Sequence, residues 1–134
     1  MQYFYDNSYC QVYYIPEKGY IHTDWKGFCP SKIFREASNS IITAIEETGT
    51  GRVLFDAVNT KSAAPEDQKW LFEDWMPRAI AAGYKRYAYI LPNDVFGKFT
   101  SSSVLQKMEV VNPHVEGATS NDTETALEWL LKED

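Results

Sequence analysis

The spacing of hydrophobic positions changes several times along the chain, and each change marks an element. Val12-Tyr13-Tyr14-Ile15 is a β-branched and aromatic run, Pro16-Glu17-Lys18-Gly19 supplies turn chemistry, and the residues from Tyr20 to Trp25 alternate. This pattern predicts an antiparallel hairpin, and Tyr3, Tyr5 and Tyr9 ahead of it also favour extended backbone. In the second arm Ile21, Thr23 and Trp25 oppose Tyr20, His22 and Asp24, so the polar alternate face is expected on the more exposed side of a sheet.

From Pro30 to Thr48 the period lengthens. Phe34, Ala37, Ile41, Ala44 and Ile45 keep three- and four-residue spacing, which predicts one buried helical face stopped by Gly49, with Pro30 in the first turn. Arg52 to Asp56 then reads as a buried strand, Ala57 to Ala64 as a loop, and Pro65 to Ala82 as a helix opened by Glu66 and Asp67 at its positive end. Leu71, Trp75 and Ala79 form one row of that helix and Phe72, Met76 and Ile80 another, with Trp70 at the edge. Pro77 removes a backbone donor inside it, which predicts a kink or break near Trp75.

A second buried strand is expected over Lys85 to Leu91, closed by Pro92. A helix capped by Asn93 or Asp94 and carrying Val95, Phe96, Phe99, Val104, Leu105 and Met108 is expected next. Asn112-Pro113 marks a loop and Val115 to Thr119 a short last strand. Asn121 with Glu124 forms a capping box for a final helix bearing Ala126, Leu127, Leu130 and Leu131. Strands alternating with helices after an initial hairpin predict an α/β fold. Its sheet is mixed but mostly parallel, and with no repeat or linker the domain is single, over residues 1–134. Val53 to Phe55 and Ala88 to Ile90 are its expected buried strands.

Composition narrows the function classes. The 134 residues suffice for a core without disulfides or metals, and no apolar run approaches the ~18 residues of a membrane span. Nineteen acids against thirteen bases give a net charge of -6, which repels nucleic acid. The first residues carry neither a basic nor an apolar segment, so the expectation is a cytoplasmic protein, and Cys10 and Cys29 are read as free thiols.

Candidate chemistry is sparse. His22 and His114 are the only histidines, neither stands in a motif, and each reads as a solvated or capping side chain. Gly49-Thr50-Gly51 precedes a strand and is a turn, not a phosphate loop. The best polar cluster is Asp56, Asn59, Thr60 and Ser62 at the carboxyl end of a buried strand, where open α/β sheets place ligands. It can hold a small ligand or a metal through its oxygens, or Asp56 can simply bond nearby loop N–H groups. Trp70 and Trp75 beside Pro77 can line an apolar pocket or be ordinary core. No cofactor or metal is implied.

At fold-forming positions the chain resembles the SpoIIAA-like proteins of the STAS and Sec14-like (CRAL-TRIO-related) group. The residues that carry the likeness are Trp25-Lys26-Gly27, Val53-Leu54-Phe55-Asp56, the Ala82-Gly83-Tyr84-Lys85-Arg86-Tyr87-Ala88 junction and Ala126-Leu127-Glu128-Trp129-Leu130. The resemblance spans Tyr14 to Lys132 and implies a mixed sheet with one antiparallel edge. Members that antagonise anti-sigma factors carry a regulatory serine in an Asp-Ser-Ser-Gly-like segment. Here that place reads Asn59-Thr60-Lys61-Ser62-Ala63-Ala64-Pro65, so the motif is absent and no functional residue is carried over. Two expectations follow: a non-catalytic regulatory or protein-interaction module using the Asp56 rim, or a carrier of a small apolar molecule beside Trp75 and Pro77. The tyrosines before Pro16 add the expectation of a sticky edge and a symmetric homodimer.

Overall fold

The computed structural model describes residues 1–60, 64–90, 115–120 and 122–133. Six strands form one mixed sheet in chain order: β1 (Gln2–Asp6), β2 (Cys10–Ile15), β3 (Tyr20–Gly27), β4 (Arg52–Thr60), β5 (Arg86–Ile90) and β6 (Glu116–Ser120). The first three pair antiparallel, and β3 to β6 run parallel. The expected helix over Val95 to Met108, His114, the Asn112-Pro113 loop, Leu91-Pro92 and Ser62 lie outside the described residues.

Helix α1 (Ser31–Thr48) follows β3 and packs on one sheet face through Ala37, Ser38, Ile41, Ile42, Ala44 and Ile45. Pro30 stands one position earlier than expected, as the N-cap, and Gly49 closes the helix in a left-handed conformation with its N–H on the carbonyl of Ile45. The next helical stretch has three parts: α2 (Pro65–Trp70), a π-helical segment (Leu71–Trp75) and α3 (Met76–Ala82). Pro77 explains the change of winding. An N–H is missing there, and the strain is absorbed one turn earlier by widening to i→i+5 bonds, as in the Met76 N–H to Leu71 carbonyl bond.

This stretch covers the α1 side of the sheet with Phe72, Trp75, Met76 and Ala79 against Ile21, Val53, Tyr84 and Tyr87. Trp75 donates from Nε1 to the Ser38 carbonyl at 2.6 Å, which fixes the π-helical segment to α1. Asp67 does more than complement a helix dipole. It is 1% exposed, accepts from Ser31 Oγ at 2.7 Å and from Arg35 Nε at 3.2 Å, and so joins α2 to α1. Phe55 and Tyr89 are half-buried rather than fully buried, and their rings stack on one another at 6.2 Å. Tyr87 crosses β6 at Gly117, where any side chain would collide with its ring.

Helix α4 (Thr123–Leu130) covers the opposite face, with Ala126 and Leu130 against Tyr20, Leu54, Ala88 and Ile90. Its N-cap is Asp122, not Asn121: Asp122 Oδ1 accepts the Thr125 N–H at 2.7 Å, and this bond lowers its carboxyl pKa. Its other end is held by two cations from the sheet. Arg52 Nη1 and Arg86 Nη1 donate to the Leu130 carbonyl at 3.3 and 3.4 Å, and Arg86 also donates to the Lys132 carbonyl at 2.7 Å. Arg86 is 2% exposed and lies 5.5 Å from the Trp129 ring centre, so it satisfies carbonyls at the negative end of α4 and packs against its aromatic residue.

Arg86→Met keeps the volume and removes those bonds. Its expected cost is about 2 to 3 kcal/mol, with faster amide exchange through α4 than through α1. Equal exchange in the two helices would show that Arg86 does not anchor α4.

Candidate functional site

The expected loop from Ala57 does not begin there. β4 continues to Thr60 because β3 is long enough to pair it, with Lys26 opposite Asn59 and Gly27 opposite Thr60. Asp56 therefore sits in mid-strand on the sheet face that α4 shares, rather than at the strand's carboxyl end. Its lateral neighbours are Asp24 on β3 and Ile90 on β5. Between Asp24 and Lys26 the pairing slips by one residue, so β4 carries an extra residue at this point. Asp56 Oδ1 takes the Val58 N–H at 3.3 Å inside this bulge. The local backbone role considered for Asp56 is thus present, within a strand instead of a loop.

Asn59 is exposed, and Thr60 donates from Oγ1 to the Gly27 carbonyl at 3.3 Å. What lies beside Asp56 is the polar alternate face of the hairpin. His22, Asp24 and Tyr13 share its face by strand alternation, and Tyr3 extends the row to the edge. The rings of Tyr3 and Tyr13 stand 5.1 Å apart, and His22 stacks on Tyr13 at 4.8 Å with an interplanar angle of 10°. His22 Nδ1 lies 3.3 Å from the Tyr20 hydroxyl. The histidine is half-buried and caps no helix, because the antiparallel register sets it directly across from Tyr13.

Helix α4 reaches Tyr20 and stops short of this row, in which Tyr13, His22, Asp24 and Asp56 are half-buried and Tyr3 is exposed. Among the described residues, no cation lies within ion-pairing distance of Asp24 or Asp56. Burial, and then the charge of Asp56, raise the Asp24 pKa against the opposing pull of Lys26 and His22. Burial lowers the His22 pKa, with Asp56 and Asp24 opposing it, and Tyr13 is pushed up to about 12 by burial and by Asp24. The result is a carboxylate pair whose charge is poorly compensated, beside a flat aromatic surface. A proton, or a cationic or hydrogen-bond-donating group, relieves it. Among the described residues no group of three or more His, Cys, Asp or Glu side chains is placed to hold a metal ion.

The three residues of the second candidate site differ in exposure. Trp75 is core, Pro77 is exposed, and Trp70 is half-buried between Arg35 and Arg78, whose guanidinium carbons stand 5.2 and 5.9 Å from its ring centre. Cys10 and Cys29 are free, and burial pushes both thiols up, Cys29 to about 11. That is the opposite of what a nucleophilic thiolate needs. The chain matches no protein-family model, and a comparison with curated proteins gives no match.

A raised Asp24 pKa has a defined effect on stability. The folded state holds the Asp24 proton more tightly than the unfolded chain, so this contribution is fully present below the ordinary carboxylate range and is lost as pH rises through the raised value. Asp24→Asn should therefore raise the melting temperature by a few degrees near neutral pH, with the gain shrinking in acid. A gain of the same size at every pH would remove the electrostatic explanation.

Proposed function

We propose that this chain is a non-catalytic regulatory or protein-interaction module that docks its partner on the sheet face around Asp24 and Asp56. The observation that carries the reading is the pair itself: two half-buried carboxylates, lateral neighbours on adjacent strands, with no cation at ion-pairing distance among the described residues. A partner that brings an Arg or Lys side chain or a cluster of N–H donors supplies the missing compensation, and the Tyr13–His22 stack offers it a flat aromatic surface. The net charge of -6 favours the same sign of partner.

The family we propose is the SpoIIAA-like branch of the STAS group. Its support is the residue pattern together with a mixed sheet entered through antiparallel strands. Without an Asp-Ser-Ser-Gly-like segment, the module works by docking and not by a serine phosphoswitch.

Native mass spectrometry of the protein purified from its own host, as parent and as the Asp24→Asn/Asp56→Asn double variant, tests this. The parent should retain a protein partner, and the variant should bind it at least about tenfold more weakly while melting no lower than the parent. A retained lipid in place of a protein would favour the apolar carrier, and equal retention by both forms would move the docking surface elsewhere.

A further inference from the structure

His22 stands inside the row that forms the proposed docking face, and it is the only histidine among the described residues. Its surroundings are fixed by register. From β2 the Tyr13 ring stacks on it at 4.8 Å, and behind Tyr13 the Tyr3 ring follows from β1. On β3 the Tyr20 hydroxyl lies 3.3 Å from its Nδ1, and Asp24 faces the same way two residues on. On β4 its lateral neighbour is the apolar Leu54, with Asp56 two residues further along. Helix α4 stops short of this row. Among the described residues the charges that act on the imidazole are those of Asp56 and Asp24, with Lys26 acting on Asp24.

Histidine is the side chain whose ordinary pKa, roughly 6.5, lies in the physiological range. Burial moves that of His22 down, so the imidazole is neutral at pH 7 and takes its proton in mild acid. The phenols beside it stay un-ionised there, since Tyr13 is pushed up to about 12 and Tyr20 is raised as well. Two consequences of the proton follow from position alone. A neutral imidazole stacked on Tyr13 continues an aromatic surface against which a cation can lie, whereas an imidazolium repels that cation. The imidazolium also gives the Asp24–Asp56 pair, through space, positive charge that a partner would otherwise bring. Both effects work against a cationic partner group.

We propose that His22 makes docking on this face pH-dependent: the neutral imidazole forms part of the platform, and the protonated one displaces the partner's cationic group. The inference rests on the docking function proposed above and adds its regulation. Binding and protonation are then linked. A partner that binds the imidazolium less well must, by the same factor, make His22 harder to protonate.

A rhodamine-labelled tetra-arginine peptide serves as the cationic probe, its affinity for the full chain read by fluorescence anisotropy from about pH 8 to about pH 5. Titrating carboxylates, Asp24 among them, weaken such a probe in acid, so the parent is compared with His22→Gln, whose side chain does not titrate. Whatever the affinity of His22→Gln at pH 8, the parent's fold loss across the range should exceed that of the variant about fivefold or more. A second measurement needs no substituted protein. In the parent, the proton NMR titration midpoint of the His22 ring should fall by about 0.7 of a pH unit when the peptide saturates the face, which is the same fivefold coupling. Equal pH dependence in parent and His22→Gln, or a midpoint that the peptide leaves in place, overturns the switch and leaves docking on this face standing. Peptide binding that the Asp24→Asn/Asp56→Asn double variant keeps in full overturns the docking function, and the switch with it.

Discussion

The pairing of β3 with β4 is the constraint on which the rest of the fold depends. Among the described strands it is the only seam between the antiparallel ones and the parallel ones, and it is closed by a buried side chain as well as by the backbone ladder. Thr23 Oγ1 donates to the Leu54 carbonyl at 2.9 Å and accepts from Trp25 Nε1 at 2.9 Å, so a hydroxyl with no exposure is satisfied in both roles. Such a group would cost the fold about 1 to 3 kcal/mol if left unpaired, so it helps to select one register of β3 on β4. A slip of one residue would turn Ile21, Thr23 and Trp25 to the polar face and expel the core residues that α1 covers. The same register that buries them puts Asp24 beside Asp56.

Much of the fold was legible because its signals are local. Gly49 stopped α1, Pro77 marked the change of winding, and Val53-Leu54 announced a strand covered on both faces. What failed was anything set by a distant strand. The length of β4 depends on β3 running on to Gly27, and no residue between Ala57 and Thr60 states that a partner lies alongside. The buried role of Asp67 depends on Ser31 and Arg35, more than thirty residues away. The cap at Asp122 against Asn121 is a one-residue choice that only the bond to Thr125 decides.

The site was legible in part. Asp56 stood out as an acid ending an apolar run, and the polar alternation of His22 and Asp24 was visible. That these two patterns meet is a fact of parallel register, which one sequence does not encode locally. The sheet is thus used unequally. One face is covered by α1, α2 and α3 over a continuous apolar core, whereas α4 covers the other over β4 to β6 and is held there by Arg52 and Arg86. Beyond it the face becomes aromatic and acidic, a composition that fits recognition better than core formation.

The central claim is that the β3–β4 seam makes Asp24 and Asp56 one electrostatic unit, and carbon-detected NMR titration of the Asp24 carboxyl tests it most directly. In the parent Asp24 should titrate above the ordinary carboxylate range, and in Asp56→Asn its titration should move back toward that range, leaving only the part due to burial. An Asp24 titration that Asp56→Asn does not move would contradict the account.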